Sequence, residues 1–431
     1  MRSTFVLLHR WAGLTTAAFL FLTGITGAVI SWDHELDGWL NSHLTAAHTP
    51  GQPQPVLNLV EQLEDRHPNV EVLYFSLHDE PGHAAEFYVQ PKINPATGAL
   101  YPEAFNQVFV DPVSGAELGT RQWGAVWPIT RETFVSFLYK LHYSLHLPEM
   151  FGTDRWGVWL LGVIALIWTI DSVFGLILTL PKNTARRSAR SKANPRKRFW
   201  QRWQPAWAIR WNKGGYKLNF DLHQAVSLWT WGLLVIIAFT AFSLNLYREV
   251  FHPVLSAISD VTPTPYDQRT MIPVEQLTPP TLSYHKVLTL ARQQADTKGW
   301  QEPLGAVFYA RQFDLYDVKF YPPESDHGVG GAGHKTLFID AHTGALLGDR
   351  IPWQGTAADI FIQAQFPLHS GRILGLPGRI LISAMGLVVA MLSITGVIIW
   401  WRKRRARIAR SLKGRDNQDK PVPKMTPVNS G

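Results

Sequence analysis

Four histidines stand at the ends of long apolar segments, where ionisable side chains are rare and usually face the interior of a helix bundle. His9 precedes the uncharged run 11–32, and His223 directly precedes another uncharged run. His142 and His369 precede the other two apolar runs. A neutral imidazole is a common metal ligand and enters low-dielectric surroundings without burying a charge. The pattern therefore favours ligation of a metal or a haem iron, with helix capping or interface packing as the alternative.

The elements that must position these histidines are membrane helices. Each apolar run is long enough to cross about 30 Å of hydrocarbon at a rise of about 1.5 Å per residue. The first run is too long for the apolar region of a signal peptide, and no small-x-small cleavage site follows it, so we expect a retained anchor. We predict an α-helical membrane protein with a four-helix transmembrane core. The runs cover 11–32, 156–180, 225–247 and 380–401, and the second includes one acid, Asp171.

The distribution of charge predicts the orientation. Residues 1–10, 182–217 and 402–431 carry 24 of the 41 Lys and Arg residues and only two of the 33 Asp and Glu residues. Basic segments resist translocation, so we expect both termini and the central loop in the cytoplasm, and 33–150 and 248–375 on the other side. The stretch RRSARSKANPRKR could indicate nucleic acid binding. Beside a helix end we interpret it as attraction to anionic lipid and expect no nucleic acid partner.

This topology sorts the histidines into two pairs. His9 and His223 begin outgoing helices, whereas His142 and His369 precede ingoing helices on the opposite side. Imidazoles on facing helices can ligate a haem iron from both sides, and helix bundles build such sites from inward side chains. Two haems, one near each face, would form an electron path across the bilayer. His146 lies four residues after His142 and shares a face with it if the segment is helical. It is then an alternative ligand, or a residue beside the ligand or on the substrate side.

The chain contains an internal repeat. FVDPVSGAELG (109–119) and FIDAHTGALLG (338–348) are identical at six of eleven positions, and each precedes a Leu-His pair. VLNLVEQLEDRH (56–67) and HKVLTLARQQA (285–295) have helical spacing, and alternating stretches near both predict strands. Asp-x-x-x-Gly in the repeated segments predicts a tight turn between strands. The order helix, α+β domain, helix thus occurs twice.

The remaining signals are weaker. The absence of cysteine excludes iron–sulfur clusters and thiolate metal sites. GVGGAG (328–333) matches Gly-x-Gly-x-x-Gly, but without a flanking strand and helix we interpret it as a flexible loop. Asp171 could orient a ligating histidine, carry protons or make a plain polar bond within its helix. Arg372 and Arg379 flank the fourth helix and are candidates for pairing with haem propionates, with interfacial anchoring as the alternative.

Six stretches spread over nearly the whole chain are similar to those of a known family: LHRWAGLTTAAFLFLTGITGAVI, LHYSLHLPEMFGTDRWGVWLLG, TIDSVFGLILTLPK, FDLHQAVSLW, PLHSGRILGLPGRI and SITGVIIWWRKR. On these stretches the sequence resembles the PepSY-associated transmembrane family, often called iron-regulated membrane proteins. Within that family it is most similar to the ferric-siderophore reductases of the bacterial inner membrane. The third helix departs from the family pattern, since FTAFSLN (239–245) stands in place of Thr-Gly.

The resemblance implies two PepSY-type periplasmic domains, two bound haems b and reduction of siderophore-bound Fe³⁺. It implies ligation of a cytoplasmic-side haem by His9 and His223, and of a periplasmic-side haem by His142 and His369. Hard oxygen ligands hold Fe³⁺ better than Fe²⁺, so one electron loosens the chelate. The electron donor, a membrane quinol or a cytoplasmic reductase, is not identified by the sequence.

We therefore expect an inner-membrane dihaem oxidoreductase, an enzyme of the ferric-siderophore reductase class, with both termini cytoplasmic. The alternatives are a siderophore or iron transport accessory protein without redox activity, or a PepSY-type protein that regulates a peptidase. Expected partners are the bilayer, a ferric siderophore and the donor. The expected segments are a first transmembrane helix 1–32, PepSY-like domain 33–140, second helix 141–181, basic loop 182–217, third helix 218–247, PepSY-like domain 248–367, fourth helix 368–401 and basic tail 402–431.

Overall fold

The computed structural model describes residues 2–78, 80–181, 199–323, 325 and 327–418, with side chains described as far as 411. Most of the predicted basic loop, 182–198, and the end of the predicted basic tail, 419–431, lie outside the described residues. The chain forms two compact units. Unit 1 comprises Met1–Gly24, Leu166–Val235 and Leu387–Gly431, and unit 2 comprises Ile25–Ala165 and Ile236–Gly386.

The helices and strands alternate along the chain in two similar series. Short 3₁₀ segments cover Gln204–Trp207, Val274–Gln276, Arg311–Phe313, Val329–Gly331 and Arg372–Leu374, and π turns cover Leu222–Val226 and Tyr247–Phe251. The α-helices are α1 (Arg2–Ile30), α2 (Asp33–Leu40), α3 (Ser42–Thr45), α4 (Val56–Arg66), α5 (Phe134–Ser144), α6 (Trp156–Thr179), α7 (Phe199–Trp203), α8 (Gly215–Asp221), α9 (Ser227–Trp229), α10 (Trp231–Asn245), α11 (His252–Ile258), α12 (Pro265–Gln268), α13 (Tyr284–Thr297), α14 (Ala357–Ser370) and α15 (Leu376–Gln418). The strands are β1 (Val70–Ser76), β2 (Ala85–Pro91), β3 (Gln107–Val110), β4 (Glu117–Arg121), β5 (Leu304–Ala310), β6 (Leu315–Phe320), β7 (Lys335–Asp340) and β8 (Leu346–Arg350).

Three helices within the described residues are long and apolar enough to cross a membrane: α1, α6 and the part of α15 up to Ser411. A fourth crossing requires Gly215–Trp229 and Trp231–Asn245 to act together, and these segments are bent by 74° relative to each other. The predicted third helix, 218–247, is thus divided by a sharp bend, and its crossing of the membrane as one span stays a prediction. The π turn at Leu222–Val226 and the break at Thr230 interrupt the regular hydrogen bonding, a known cause of sharp kinks.

Unit 2 contains one eight-stranded antiparallel sheet in the order β4-β3-β2-β1-β5-β6-β7-β8. The sequence predicts two separate α+β domains, but β1 and β5 pair through Tyr74 with Phe308, Phe75 with Val307 and Ser76 with Ala306. Each half alone would expose the backbone groups of its first strand, and pairing satisfies them. The two predicted domains thus share one sheet.

The two amphipathic helices predicted from spacing, α4 and α13, pack on this sheet. Leu59 and Leu63 of α4 and Val287 and Ala291 of α13 are fully buried. They belong to one hydrophobic core with strand residues from both halves, such as Phe75. Apolar residues three and four apart form a single face of a helix, which explains why the periodicity predicts both helices.

The predicted turns between strands are confirmed. The Asp111 carboxylate accepts hydrogen bonds from the backbone N–H groups of Val113 and Ser114, at 3.0 and 2.9 Å. Asp340 accepts the equivalent pair from His342 and Thr343, at 3.0 and 2.7 Å. Glycine follows in each turn with a positive φ, 72° at 115 and 75° at 344, a conformation that glycine adopts without a steric penalty.

Candidate functional site

Unit 1 brings together the first predicted histidine pair. His9 lies in α1, and His223 lies in the π turn between α8 and α9. Their ring centres are 6.4 Å apart, with an angle of 56° between the ring planes. π turns inside helices are rare and frequently occur at functional sites.

Unit 2 brings together the second pair. His142 lies in α5 and His369 in α14, two helices that precede the apolar helices α6 and α15 in the chain. Their ring centres are 6.2 Å apart, with an interplanar angle of 52°. The two pairs are therefore nearly equal in geometry, although they are built from different elements.

Both separations suit a metal ion held between two imidazoles. An imidazole nitrogen bonds a transition metal at about 2.0 Å, so two rings on opposite sides of one ion have centres about 6 Å apart. Among the described residues, no group of three or more His, Cys, Asp or Glu could hold a metal ion. Each pair thus offers two ligands, which suits haem, because the porphyrin fills the other four positions around iron.

Hydrogen bonds to Nδ1 fix the tautomer of these rings. His223 Nδ1 lies 3.0 Å from the Thr395 hydroxyl, and His369 Nδ1 lies 3.0 Å from the Thr240 hydroxyl. Each of these hydroxyls donates its proton to a carbonyl of its own helix and can therefore accept from Nδ1–H. The proton then resides on Nδ1, and Nε2 keeps the lone pair that a metal requires.

The remaining two rings also have a partner at Nδ1. His142 Nδ1 lies 3.1 Å from the Thr26 hydroxyl. His9 Nδ1 lies 2.9 and 3.0 Å from the two carboxylate oxygens of Asp171, a buried residue of α6. Of the roles open for Asp171 in the sequence, its contacts match the orientation of a predicted ligand. Partners of this kind fix the ring orientation of metal-binding histidines.

Glycines leave room for the rings. A β-carbon at position 27 would lie 2.8 Å from His142 Cε1, and one at position 396 would lie 3.2 Å from His223 Cε1. Both glycines follow the threonine that contacts the same ring, so one Thr-Gly dipeptide both bonds the imidazole and makes space for it. At the third helix, alanine follows Thr240, and the threonine contact with His369 is still formed.

A cavity of about 950 Å³ surrounds the His9–His223 pair in unit 1. Pockets of roughly 300–1,000 Å³ hold cofactor-sized molecules. Its walls are mainly apolar, with Leu20, Leu228 and Val389 among them, but six of the lining residues are basic. Guanidinium and ammonium groups suit the propionates of haem. The basic lining residues are Arg2, Arg10, Arg402, Lys403, Arg407 and Arg410.

The structure places His146 away from the second pair. Its ring stacks on Phe137, with centres 4.5 Å apart, and its Nε2 lies 2.8 Å from the Phe137 carbonyl oxygen. Leu145 and His146 both have positive φ, which ends α5 after His142 and rotates His146 off the helical face. The assumption of a shared helical face is therefore wrong, and of the two residues His142 is the one that faces His369.

The two arginines considered for propionates have carboxylate partners within unit 2. Arg379 forms a two-point contact with Glu35, at 2.8 and 2.7 Å, and donates to the Ser31 carbonyl. Arg372 lies 3.7 Å from Asp33. Both side chains thus tie the start of α15 to the segment after α1, while propionate pairing and interfacial anchoring both stay predictions.

A second cavity, of about 480 Å³, lies in unit 2 beside the helix that carries His369. Phe366 and Pro367 of α14 form one wall, and the glycine-rich segment predicted to be a loop forms another. Lys319 and aromatic rings of the sheet and its connections also line the cavity. Its polar and aromatic lining comprises Tyr74, Lys319, Tyr321, His327, His334, Arg350 and Gln363.

Sequence reasoning missed the threonine partners and both cavities. A signal for the threonines was present, since Thr26 follows His9 by 17 residues and Thr240 follows His223 by the same interval. That spacing indicates a repeat, but it does not show that each threonine bonds the histidine of a different segment. The cavities depend on residues from several helices and have no local pattern.

Comparison with known proteins agrees with this architecture at the level of the family. The family model of the PepSY-associated TM region matches residues 6–403, which is nearly the whole chain. No curated protein matches the sequence. Because the match includes all the apolar helices and both histidine pairs, the chain belongs to the PepSY-associated TM region family of membrane proteins.

Proposed function

We propose that this membrane protein is a dihaem oxidoreductase that passes electrons to a ferric siderophore and so releases Fe²⁺. The observation that carries the proposal is the pairing of four imidazoles at ring-centre distances of 6.4 and 6.2 Å, each with a hydrogen-bond partner at Nδ1. In this proposal His9 and His223 hold one haem b, and His142 and His369 hold the other. Haem b, when bound, supplies an iron that gains and loses one electron.

The chain's own residues have distinct tasks in this scheme. The threonine hydroxyls and Asp171 keep each imidazole in its metal-binding tautomer. Arg10 and Lys403, which line the large cavity, neutralise propionates there. The apolar walls of the large cavity would exclude water from the cofactor site.

The smaller cavity of unit 2 is the proposed place for the ferric chelate. It adjoins α14 two and three residues before His369, so a bound chelate lies close to the helix that carries a haem ligand. Lys319 attracts the negative charge of an anionic chelate, and Tyr74 and Tyr321 offer apolar faces to its organic arms. We place the protein in a bacterial inner membrane with both termini cytoplasmic, on the basis of the basic segments.

Spectroscopy on the purified protein tests the proposal directly. Full-length protein extracted in mild detergent should contain two haems b per chain and show the low-spin spectrum of bis-imidazole iron. After reduction with dithionite and removal of the excess, it should be reoxidised by a ferric siderophore with formation of Fe²⁺. A folded, haem-free preparation would overturn the proposal. If haem is present but a ferric siderophore does not reoxidise it, the proposed reduction of the siderophore is refuted.

A further inference from the structure

The two histidine pairs differ in one electronic respect. In three of the four imidazoles Nδ1 lies within hydrogen-bond distance of a threonine hydroxyl, at 3.0–3.1 Å. The fourth, His9, donates to a carboxylate, with Nδ1 at 2.9 and 3.0 Å from the Asp171 oxygens. The His9–His223 pair therefore has a carboxylate at one Nδ1, whereas a threonine hydroxyl contacts each Nδ1 of the His142–His369 pair.

The Asp171 carboxylate is buried where it contacts His9. Asp171 is 8% exposed, and it lines the large cavity beside the histidines. Within the described part of the chain, His9 is the side chain that forms a hydrogen bond or an ion pair with it. Because ionised carboxylates only accept hydrogen bonds, the proton lies on Nδ1, and the negative charge acts on the metal-binding nitrogen through the ring.

A carboxylate partner changes what the ligand does to a metal. It raises the basicity of the imidazole, whereas a hydroxyl polarises the ring much less. A more basic ligand and a nearby negative charge stabilise Fe³⁺ relative to Fe²⁺, since the more highly charged ion gains more from both. The effect is strong in apolar surroundings, where charges are poorly screened.

We propose that Asp171 is a positioning residue that sets the reduction potential of a haem at the His9–His223 pair below that of a haem at the His142–His369 pair. This inference rests on the proposed function. Electrons then pass spontaneously from the first site to the second: the iron at His9–His223 goes from Fe²⁺ to Fe³⁺ as the iron at His142–His369 goes from Fe³⁺ to Fe²⁺. A quinol or a cytoplasmic reductase replaces the electron at the first site, and the ferric chelate removes it from the second. One carboxylate thus gives the protein a preferred direction of electron transfer.

A potentiometric titration followed by optical spectroscopy tests this on the purified, haem-loaded protein. The wild type should titrate in two one-electron waves, and variants His223→Ala and His369→Ala, each with one haem, assign them. In Asp171→Asn the midpoint potential of the lower wave should rise by at least about 59 mV, which corresponds to a tenfold change in the equilibrium constant of a one-electron reduction. The upper wave should stay in place, and Asp171→Glu should restore a low potential.

Thr15→Val is the matched control, because Thr15 lies on α1 and its hydroxyl donates to the Trp11 and Ala12 carbonyls of the same helix. It should leave both waves unchanged. The proposal is overturned if Asp171→Asn leaves the lower wave in place, or if both waves rise equally. Should the Asn variant fail to fold, the order of the assigned waves in the wild type decides: a higher potential at His9–His223 refutes the proposal. A protein without haem would instead refute the proposed function, so the two failures are distinct.

Discussion

Gly27 packs directly against the ring of His142. A β-carbon at this position would lie 2.8 Å from Cε1 and 3.4 Å from Nδ1, closer than the ring can tolerate without moving. The preceding residue, Thr26, contacts the same Nδ1 at 3.1 Å. Two consecutive residues of α1, Thr26 and Gly27, therefore both contact the imidazole of His142 and determine its position.

Gly27→Ala should consequently reduce haem at the His142–His369 pair while the other haem is retained. We expect haem content to fall from two per chain towards one, measured as the pyridine haemochrome against protein concentration. Gly232→Ala is the control, since a β-carbon there meets nothing within 4 Å. Full haem content in Gly27→Ala would show that the ring has room to shift and that this contact is dispensable.

Single substitutions of the paired histidines should separate the two haems. His9→Ala or His223→Ala should remove one haem and stop electron flow across the membrane, yet leave the other haem reducible by dithionite. His146→Ala should keep both haems, because His146 Nε2 forms a hydrogen bond with the Phe137 carbonyl instead of facing His369. The spectrum and haem content of each variant provide the measurement. Retention of both haems in His9→Ala and His223→Ala would refute the pairing.

Lys319 should affect the chelate rather than the haems. The ammonium group lies 5.7 Å from the centre of the Tyr74 ring in the smaller cavity, where an anionic ligand would meet it. For Lys319→Met we expect a several-fold higher KM for an anionic ferric chelate, with kcat and haem content unchanged. Lys298→Met, which removes a lysine paired with Asp349 away from the cavity lining, should leave KM unchanged. Equal KM values in the two variants would place the chelate elsewhere.

Asp111 should make the stability of unit 2 depend on pH. Burial alone raises the pKa of a carboxyl, but hydrogen bonds from Ser114, Thr49 and Val113 outweigh it and lower the pKa of Asp111 to about 2. A lowered folded-state pKa stabilises the fold above about pH 4, and this stabilisation, on the order of 2 kcal/mol, is lost as the pH falls towards 2.

Asp111→Asn should therefore lower the apparent Tm at pH 7, and the difference from the wild type should shrink between pH 4 and pH 2. Thermal unfolding of the full-length protein in detergent, followed by circular dichroism, measures it. Asp296→Asn removes an acid that is paired with Arg292 on the surface of α13 and should change Tm little at any pH. A difference that is constant with pH would show that the carboxylate charge is not what stabilises the turn.

Local patterns in the sequence account for a large part of this structure. The spacing of Leu59 and Leu63 predicts α4, and the Asp111 motif predicts its turn, because each depends on neighbours within a few residues. The grouping of histidines at apolar ends, together with the charge distribution, predicts which of them meet. Membrane helices strongly limit the arrangements that such residues can adopt.

The features that sequence reasoning missed depend on distant residues. The pairing of Phe75 with Val307 merges two predicted domains, and no local pattern distinguishes a strand that meets its own repeat from one that stays at an edge. The bend at Thr230 lies within an uncharged, largely apolar run, and the hydropathy of such a run does not indicate where a helix bends. The contact of His9 with Asp171 joins residues that lie 162 positions apart.

The central pairing of β1 with β5 also has a consequence for biosynthesis. The two strands are separated by about 230 residues, so the ribosome has released β1 long before β5 emerges. During that interval the first half carries an open strand edge that other nascent chains could join. Until β5 is synthesised and pairs with β1, this edge is therefore a site at which the incomplete chain can aggregate.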